Sequence, residues 1–435
     1  MGELRGRKIA LLIAIAVTSV LPLAFLRLDE PRFDLNVYKV LAKAGSLCGT
    51  VLIVWQFVLG YRALAGKVMV DLIWVVNLHK AIGKYILFLI ILHPVFITVY
   101  YIIKEGGNPL ALEKGPRFDM YVVPGMIALL LFIFVVITSM WVRRRLTYQA
   151  WYGMHLSTYL ALPLVFIHSI PIGQTLQGTG LGVLWLILLG LVVGMYFYRI
   201  ACRLGVVGMG VRKHGVIRIE EVGQDVTEIT ARPQKRRVEP EIGQFVYLRR
   251  GFTGVARPFT VSKYDAQTGD LAMTVKAQGM GTTDMQFARQ GEVVFIDGPY
   301  GVFLRRALRS RRPLVLVAGG IGITPFRRLF QGRGGESDEP VWLFYGNRYT
   351  SEIVYKDELE SLQHLRVVHV ISDEKNYPGE TGFITPDLLK KYLPRDLREY
   401  EFLICGPPAM TTKLEAGLDE EGVPTEQIHH ELFSY

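Results

Sequence analysis

Cysteine is scarce in this chain of 435 residues: Cys48, Cys202 and Cys405 stand too far apart for a disulfide framework or a zinc site. Charge is scarce as well, but only in the first half. No Asp, Glu, Lys or Arg interrupts Ile9–Leu26, Ala44–Tyr61, Tyr85–Ile103 or Met120–Val142, and none occurs from Leu146 to Tyr198. Such runs cannot form a water-facing surface. A transmembrane helix needs about 20 largely apolar residues. The Gly/Gln/Thr-rich stretch 173–180 divides the last run in two, so six spans are predicted. A small-x-small cleavage site is also lacking after the first run. Although Arg5, Arg7 and Lys8 precede it, it reads as a retained helix rather than a signal peptide.

The formal net charge is +10, which by itself could suggest a nucleic-acid partner. In a membrane protein, Lys and Arg are expected to gather on cytoplasmic loops, and that explains the excess better; no nucleic acid is expected. With the N-terminus inside, twelve Lys and Arg flank the inner ends of the spans and seven the outer ends. The bias predicts a multi-pass protein of the plasma membrane, with its C-terminal half in the cytoplasm.

Four of the nine histidines precede residue 214: His79 and His93 in the third span, His155 and His168 in the fifth. Fourteen residues rise roughly 21 Å along a helix and thirteen roughly 20 Å, so the two pairs lie at matching depths. Ionisable groups within a membrane are costly and usually mark function. Opposed imidazoles can ligate a haem iron from both sides, and a helix bundle is where such sites are built. The alternative is four histidines acting as polar glue between helices; two pairs at matched depth favour ligation and two stacked haems. On a straight helix, however, thirteen residues miss the starting face by about 140°. Pro163 lies between His155 and His168 and is the expected site of a phase-changing kink or bulge. Lys80, Lys84 and Arg143–Arg145 are candidate partners for haem propionates, or equally ordinary inner-face anchors.

After Cys202 the pattern turns to short alternating strands such as HGVIRIEEV and GQFVYLRR, which predicts an antiparallel barrel to about Leu308. Within it lies RPFTVS, Arg257–Pro258–Phe259–Thr260–Val261–Ser262. Its cation, ring and hydroxyls suit a flavin phosphate, an isoalloxazine face and the flavin's reactive edge. KAQGMGTTD follows, where Lys276 begins the motif, Gly279 and Gly281 permit close backbone approach, and Thr282 offers a hydroxyl to a pyrophosphate. A turn before a polar strand would explain either motif as well. From Arg312 the rhythm becomes strand, turn, helix. In PLVLVAGGIGITPFRRLF the turn Gly319–Gly320–Ile321–Gly322 precedes a helix that begins at Thr324 and Pro325. Further units at VWLFYGNR and YEFLICGPPAM complete a doubly wound parallel sheet. Cys405 ends the last strand, as a core thiol or as a residue facing the ligand.

These residues together resemble the NADPH-oxidase and ferric-reductase superfamily: a six-helix haem-binding membrane domain joined to a ferredoxin-reductase-like dehydrogenase. The resemblance rests on the 14- and 13-residue histidine spacings, RPFT (257–260), GMGT (279–282), GGIGITP (319–325), CGPP (405–408) and HHELF (429–433). It implies an all-α membrane domain at 1–205, an antiparallel FAD-binding barrel at 206–308 and an NAD(P)-binding α/β domain at 309–435. It also implies that His79 and His155 ligate an inner haem b and His93 and His168 an outer one. FAD would be held by Arg257, Pro258, Phe259, Thr260, Ser262, Lys276, Gly279, Gly281 and Thr282. NAD(P)H would meet Gly319, Gly320, Gly322, Thr324, Pro325, Arg348, Cys405, Gly406 and Pro407. Phe433 would stack on the flavin, and Thr260, Cys405 and Phe433 would serve the reaction. Two departures stand out. Ser434 and Tyr435 follow Phe433, so Tyr435 is a second candidate for the stacking ring. ISDEK places Asp373 where NADPH-specific relatives carry Arg, and its carboxylate would repel a 2′-phosphate unless Arg348 or Lys375 compensates. Residues 1–8 are too short for an EF-hand or partner-binding extension, which implies activity without a regulatory subunit. The expected acceptor on the outer face is dioxygen, giving superoxide; ferric chelate and a periplasmic redox partner are the alternatives.

Overall fold

The computed structural model describes residues 2–112, 115–177, 179–204, 211–251, 254–277, 285–310, 312–332 and 340–431. The chain divides into two compact units, Met1–Ile200 and Ala201–Tyr435.

Among the described residues of the first unit, six helices are long and apolar enough to cross a membrane. They are α1 (Leu4–Phe25), α2 (Phe33–Gly60), α3 (Leu72–Glu105), α4 (Pro116–Arg145), α5 (Tyr148–Ile172) and α6 (Leu181–Leu204). Phe88, Leu130, Leu186 and Phe197 are exposed on these helices, as side chains that face lipid must be. α2 begins eleven residues before the charge-free run and so carries Lys39 and Lys43 within the helix. Asp71 starts α3 by accepting a hydrogen bond from the Trp74 N–H, and Gly106 (φ 72°) ends it in the left-handed conformation that glycine tolerates.

The histidine-bearing helix α5 is not continuous. It runs as Tyr148–His155 and Thr158–Ile172, broken at Leu156–Ser157. The phase change therefore lies directly after His155, whereas Pro163, the expected site, sits inside the second segment. The break is stabilised locally: the Ser157 hydroxyl donates to the Met154 carbonyl (2.7 Å) and the Thr158 hydroxyl to the His155 carbonyl (2.9 Å). Pro163 has a different consequence. Without an N–H it cannot bond the Tyr159 carbonyl, which instead accepts from the Tyr196 hydroxyl of α6 at 2.8 Å.

The second unit opens with a closed antiparallel barrel of β1 (Val211–Gly223), β2 (Val226–Pro233), β3 (Phe245–Arg250), β4 (Arg257–Tyr264), β5 (Leu271–Lys276) and β6 (Val293–Tyr300). The strands close in the order β1-β2-β5-β4-β3-β6 around Ile229, Val246, Leu248, Met273 and Ile296. A parallel sheet follows: β7 (Leu314–Gly319), β8 (Val341–Asn347), β9 (Leu365–Ile371), β10 (Glu380–Thr381), β11 (Glu401–Cys405) and β12 (Ile428–Glu431), in the order β10-β9-β8-β7-β11-β12. Its central strands LVLVAG and EFLIC are buried throughout, because helices cover both faces. Leu314, Leu316 and Ala318 point into one core and Val315 and Val317 into the other, as the two-residue period of a strand requires. The strand order reverses between β7 and β11. In open α/β sheets a ligand crevice forms at the C-terminal ends of such a pair.

Candidate functional site

In the first unit the four histidines meet as two pairs. Ring centroids are 6.1 Å apart for His79 and His155, with planes at 63°. For His93 and His168 they are again 6.1 Å apart, at 66°. Two imidazoles on opposite sides of one metal atom, with metal–nitrogen bonds of about 2.0 Å, would have centroids about 6 Å apart.

Each ring is oriented through Nδ1. His79 donates to the Gln56 carbonyl (3.1 Å), His93 to Ala42 (3.3 Å) and His168 to Tyr121 (2.8 Å), while His155 lies 3.4 Å from the Ser139 hydroxyl. A carbonyl acceptor fixes the proton on Nδ1 and leaves the Nε2 lone pair available, which is the arrangement of a metal-ligating histidine. The neighbouring helices make room. A Cβ at Gly125 would lie 2.7 Å from the His168 ring, one at Gly60 3.2 Å from the His79 ring, and one at Gly45 2.6 Å from the His93 backbone nitrogen. Ser139 lies on a π-helical turn, Thr138–Val142. Sequence reasoning found the four histidines but not these supports. Glycines at 45, 60 and 125 in otherwise bulky apolar helices were the available signal.

A cavity of about 470 Å³ opens beside His93 and His168. Its wall is apolar at Ile90, Phe132 and Val165 and polar at Lys39, Lys43 and Gln174. The size lies within the range of small-molecule and cofactor sites.

In the second unit, RPFTVS forms β4, with neighbouring residues placed very differently. Arg257 and Pro258 are half-buried, opposite Leu248 and Tyr247. The Thr260 hydroxyl is buried without a hydrogen-bond partner among the described residues, as an atom awaiting a ligand would be. Phe259, in contrast, belongs to the barrel core, so its ring is not free to lie on a flavin. Ser262 is also turned inward. Its hydroxyl donates to Glu228 (3.1 Å) and the Ala272 carbonyl, and it accepts from Thr274. That network continues to Arg327, which pairs with Glu228, clasps Glu358 (2.6 Å) and lies 3.8 Å over the Tyr355 ring. Burial pushes the Tyr355 phenol up to about 12. The polar pattern of β4 thus serves two ends: Thr260 faces a candidate site, and Ser262 fastens the barrel to the sheet.

The glycines after β7 also divide. A Cβ at Gly322 would lie 2.1 Å from the Cys405 carbonyl, and one at Gly319 2.6 Å from Pro407. These two let the ends of β7 and β11 touch. Gly320, at φ 53° with open space beside it, is the one able to approach a phosphate. Thr324 is buried, and its hydroxyl donates to the Ile321 carbonyl at the start of α7 (Thr324–Gly332), which Pro325 follows. Gly406 also packs on Gly319. Lys276 and Arg348 both pair with Glu352, at 3.2 and 2.9 Å. Gly279, Gly281, Thr282, Phe433 and Tyr435 lie outside the described residues.

The structure links Thr260 to Cys405 through residues that the motifs did not single out. Thr260 pairs with Phe245 across β3 and β4. A Cβ on Gly301 would touch the Phe245 ring at 3.2 Å and the Glu431 carboxylate at 3.6 Å, and Glu431 stands in register with Cys405. Both Glu431 carboxylate oxygens are buried without partners among the described residues, and burial pushes this carboxyl up to about 8. Burial, helped by Glu431, also holds the Cys405 thiol well above its ordinary value. Cys405 is therefore a neutral core thiol and not a nucleophile. The raised carboxyl and the partnerless Thr260 hydroxyl are thus the two unsatisfied polar groups on the path from β4 to β12 among the described residues.

Comparison with known proteins agrees with this organisation. Residues 46–166 match the family described as "Ferric reductase like transmembrane component", and residues 316–415 match "Oxidoreductase NAD-binding domain". NADH-cytochrome b5 reductase 1 of Emericella nidulans is 27% identical over 216 residues, covering 45% of this chain and 69% of the relative. Its namesake from Lodderomyces elongisporus is 30% identical over 186 residues, covering 40% and 62%. A solved ferredoxin reductase of carbazole 1,9a-dioxygenase aligns at 24% identity with a TM-score of 0.46, covering 51% of this chain and 68% of that one. An apolar six-helix unit with a ferric-reductase match precedes a barrel and a nucleotide-binding sheet, and this is the architecture of the NADPH-oxidase and ferric-reductase superfamily.

Proposed function

We propose that the protein moves electrons from cytoplasmic NAD(P)H across the plasma membrane to an acceptor outside, and that dioxygen is that acceptor, giving superoxide. FAD held at Thr260 would supply hydride acceptance and single-electron release, and haems b held by the four histidines would supply one-electron transfer across the membrane. The observation that carries the reading is the pair of opposed histidine sets with equal 6.1 Å spacing. His79 with His155 and His93 with His168 would hold the two haems. Nδ1 of each ring is engaged by a carbonyl or by the Ser139 hydroxyl, which leaves Nε2 available as a ligand. A haem iron held by a histidine on each side would have no open coordination position, so an acceptor would be reduced at the cofactor's edge. Lys43 lines the outer cavity and would offer its ammonium to a ligand carboxylate there, whereas Lys39 is held by Asp29 at 2.6 Å. In the second unit Thr260 orients the flavin edge, Gly320 admits a phosphate, and the α7 N-terminus favours its charge.

A ferric chelate is the second reading, favoured by the ferric-reductase match over residues 46–166. Purified protein given NAD(P)H, FAD and cytochrome c separates the two. Superoxide production predicts that superoxide dismutase abolishes most cytochrome c reduction; insensitivity to dismutase overturns the oxidase reading.

A further inference from the structure

The C-terminal ends of β8 and β9 form a rim of opposed charges that motif reading does not resolve. Arg348 directly follows β8, and Asp373 and Glu374 follow β9. Backbone hydrogen bonds tie the two loops together: Ser372 N–H to the Asn347 carbonyl and Asp373 N–H to the Arg348 carbonyl, both 3.0 Å. Arg348 and Lys276 are the cations here that lie against the strand ends, and both are engaged by one carboxylate. Glu352 holds both, one carboxylate oxygen 2.9 Å from the Arg348 guanidinium and the other 3.2 Å from the Lys276 ammonium. Glu352 is itself mostly buried, at 13% side-chain exposure, so it is fixed where it stands. Glu374 is occupied by Thr350, accepting from its N–H and its hydroxyl at 2.9 Å each. Asp373 is exposed and carries no side-chain hydrogen bond among the described residues, and Lys375 is the remaining cation.

We propose that this rim selects NADH over NADPH, with Glu352 as the specificity-determining residue and Asp373 as the acceptor for the adenosine ribose hydroxyls. The proposal rests on the reading of this sheet as the dinucleotide site. A carboxylate beyond the strand end accepts hydrogen bonds from a 2′-hydroxyl, whereas a 2′-phosphate needs a free guanidinium. Glu352 competes for that guanidinium, and Asp373 meets the phosphate with like charge, which weakens binding. The wild-type chain is not merely indifferent to the phosphate. It is set against it.

The test uses the full chain in detergent. Calorimetric titration gives dissociation constants for NAD+ and NADP+, which cannot turn over, and steady-state rates give kcat/KM for NADH and NADPH. Wild-type protein favours NAD+ and NADH by at least tenfold. Glu352→Gln frees Arg348 and moves both ratios about tenfold toward the phosphorylated nucleotide, and Asp373→Ser moves them the same way. Equal or tighter NADP+ binding by the wild type, or unchanged ratios in Glu352→Gln, overturns the inference. If NAD+ binds tighter than NADP+ while neither reduced nucleotide is oxidised, the selectivity stands and the electron-transfer reading falls.

Discussion

The two units hold their polar groups in opposite ways. In the membrane unit each key side chain is fixed by one hydrogen bond to a backbone carbonyl or a serine, and three of the four also rest against a glycine that gives way to them. In the second unit the buried charges are fixed by one another: Arg327, Glu228 and Glu358 close a network whose members are all polar. The difference follows from the surroundings. Charges are expensive in lipid, so a membrane site is built from neutral imidazoles and the backbone. At a joint between two lobes, a desolvated ion pair can persist when its hydrogen bonds are complete.

The comparison is easiest to break from the charged side. Arg327→Ala leaves Glu228, 2% exposed, as a buried carboxylate with the Ser262 and Thr274 hydroxyls and, as its one remaining cation among the described residues, Lys263 at 3.3 Å. Breaking a buried pair from one side costs about 3–5 kcal/mol. Denaturant unfolding of the second unit should show a loss of that order; a loss below about 1 kcal/mol would mean that the network is not a joint.

Glu431 offers a contrast within the same unit, being a buried carboxyl without a hydrogen-bond partner among the described residues. Its pKa is raised from 4.5 to about 8, so the folded chain binds this proton more tightly than the unfolded one. Stability is therefore fully present below pH 4.5 and is lost as pH rises to about 8. Glu431→Gln should flatten that decline and raise stability at pH 8 by on the order of a few kcal/mol in thermal unfolding without ligands. A pH profile identical to the wild type's would contradict the assignment.

A smaller effect is expected on the membrane side. Gly125→Ala places a methyl group 2.7 Å from the His168 ring and must shift it, costing about 1–3 kcal/mol as overpacking does. The result should be weaker haem retention at the outer level and unchanged retention at the inner, read from the spectrum during haem titration. Equal weakening at both levels would show that the glycine acts on the whole bundle rather than on one ring.

The sequence revealed residue types at known spacings and concealed anything that depends on phase or facing. Six charge-free runs announced the membrane helices, and histidine spacings of fourteen and thirteen announced two levels. The 140° discrepancy was visible too, but proline drew attention to the wrong residue. Ser157 and Thr158 are hydroxyl residues that resolve the break by bonding backward, and nothing in their types distinguishes them from surface residues. The same limit applied to RPFTVS. Alternation shows that Thr260 and Ser262 share a side of the strand, but not that a neighbouring acid, Glu228, has already engaged one of them. Glu431 was passed over because a carboxylate near a chain end reads as solvated, and only its burial makes it chemical.

The most direct test counts pigment. Purified protein reconstituted with haem should bind two per chain, both six-coordinate and low-spin, and His93→Ala should retain about half while keeping the inner set. A protein that stays colourless, or a His93→Ala variant with undiminished haem, would contradict the opposed-histidine account.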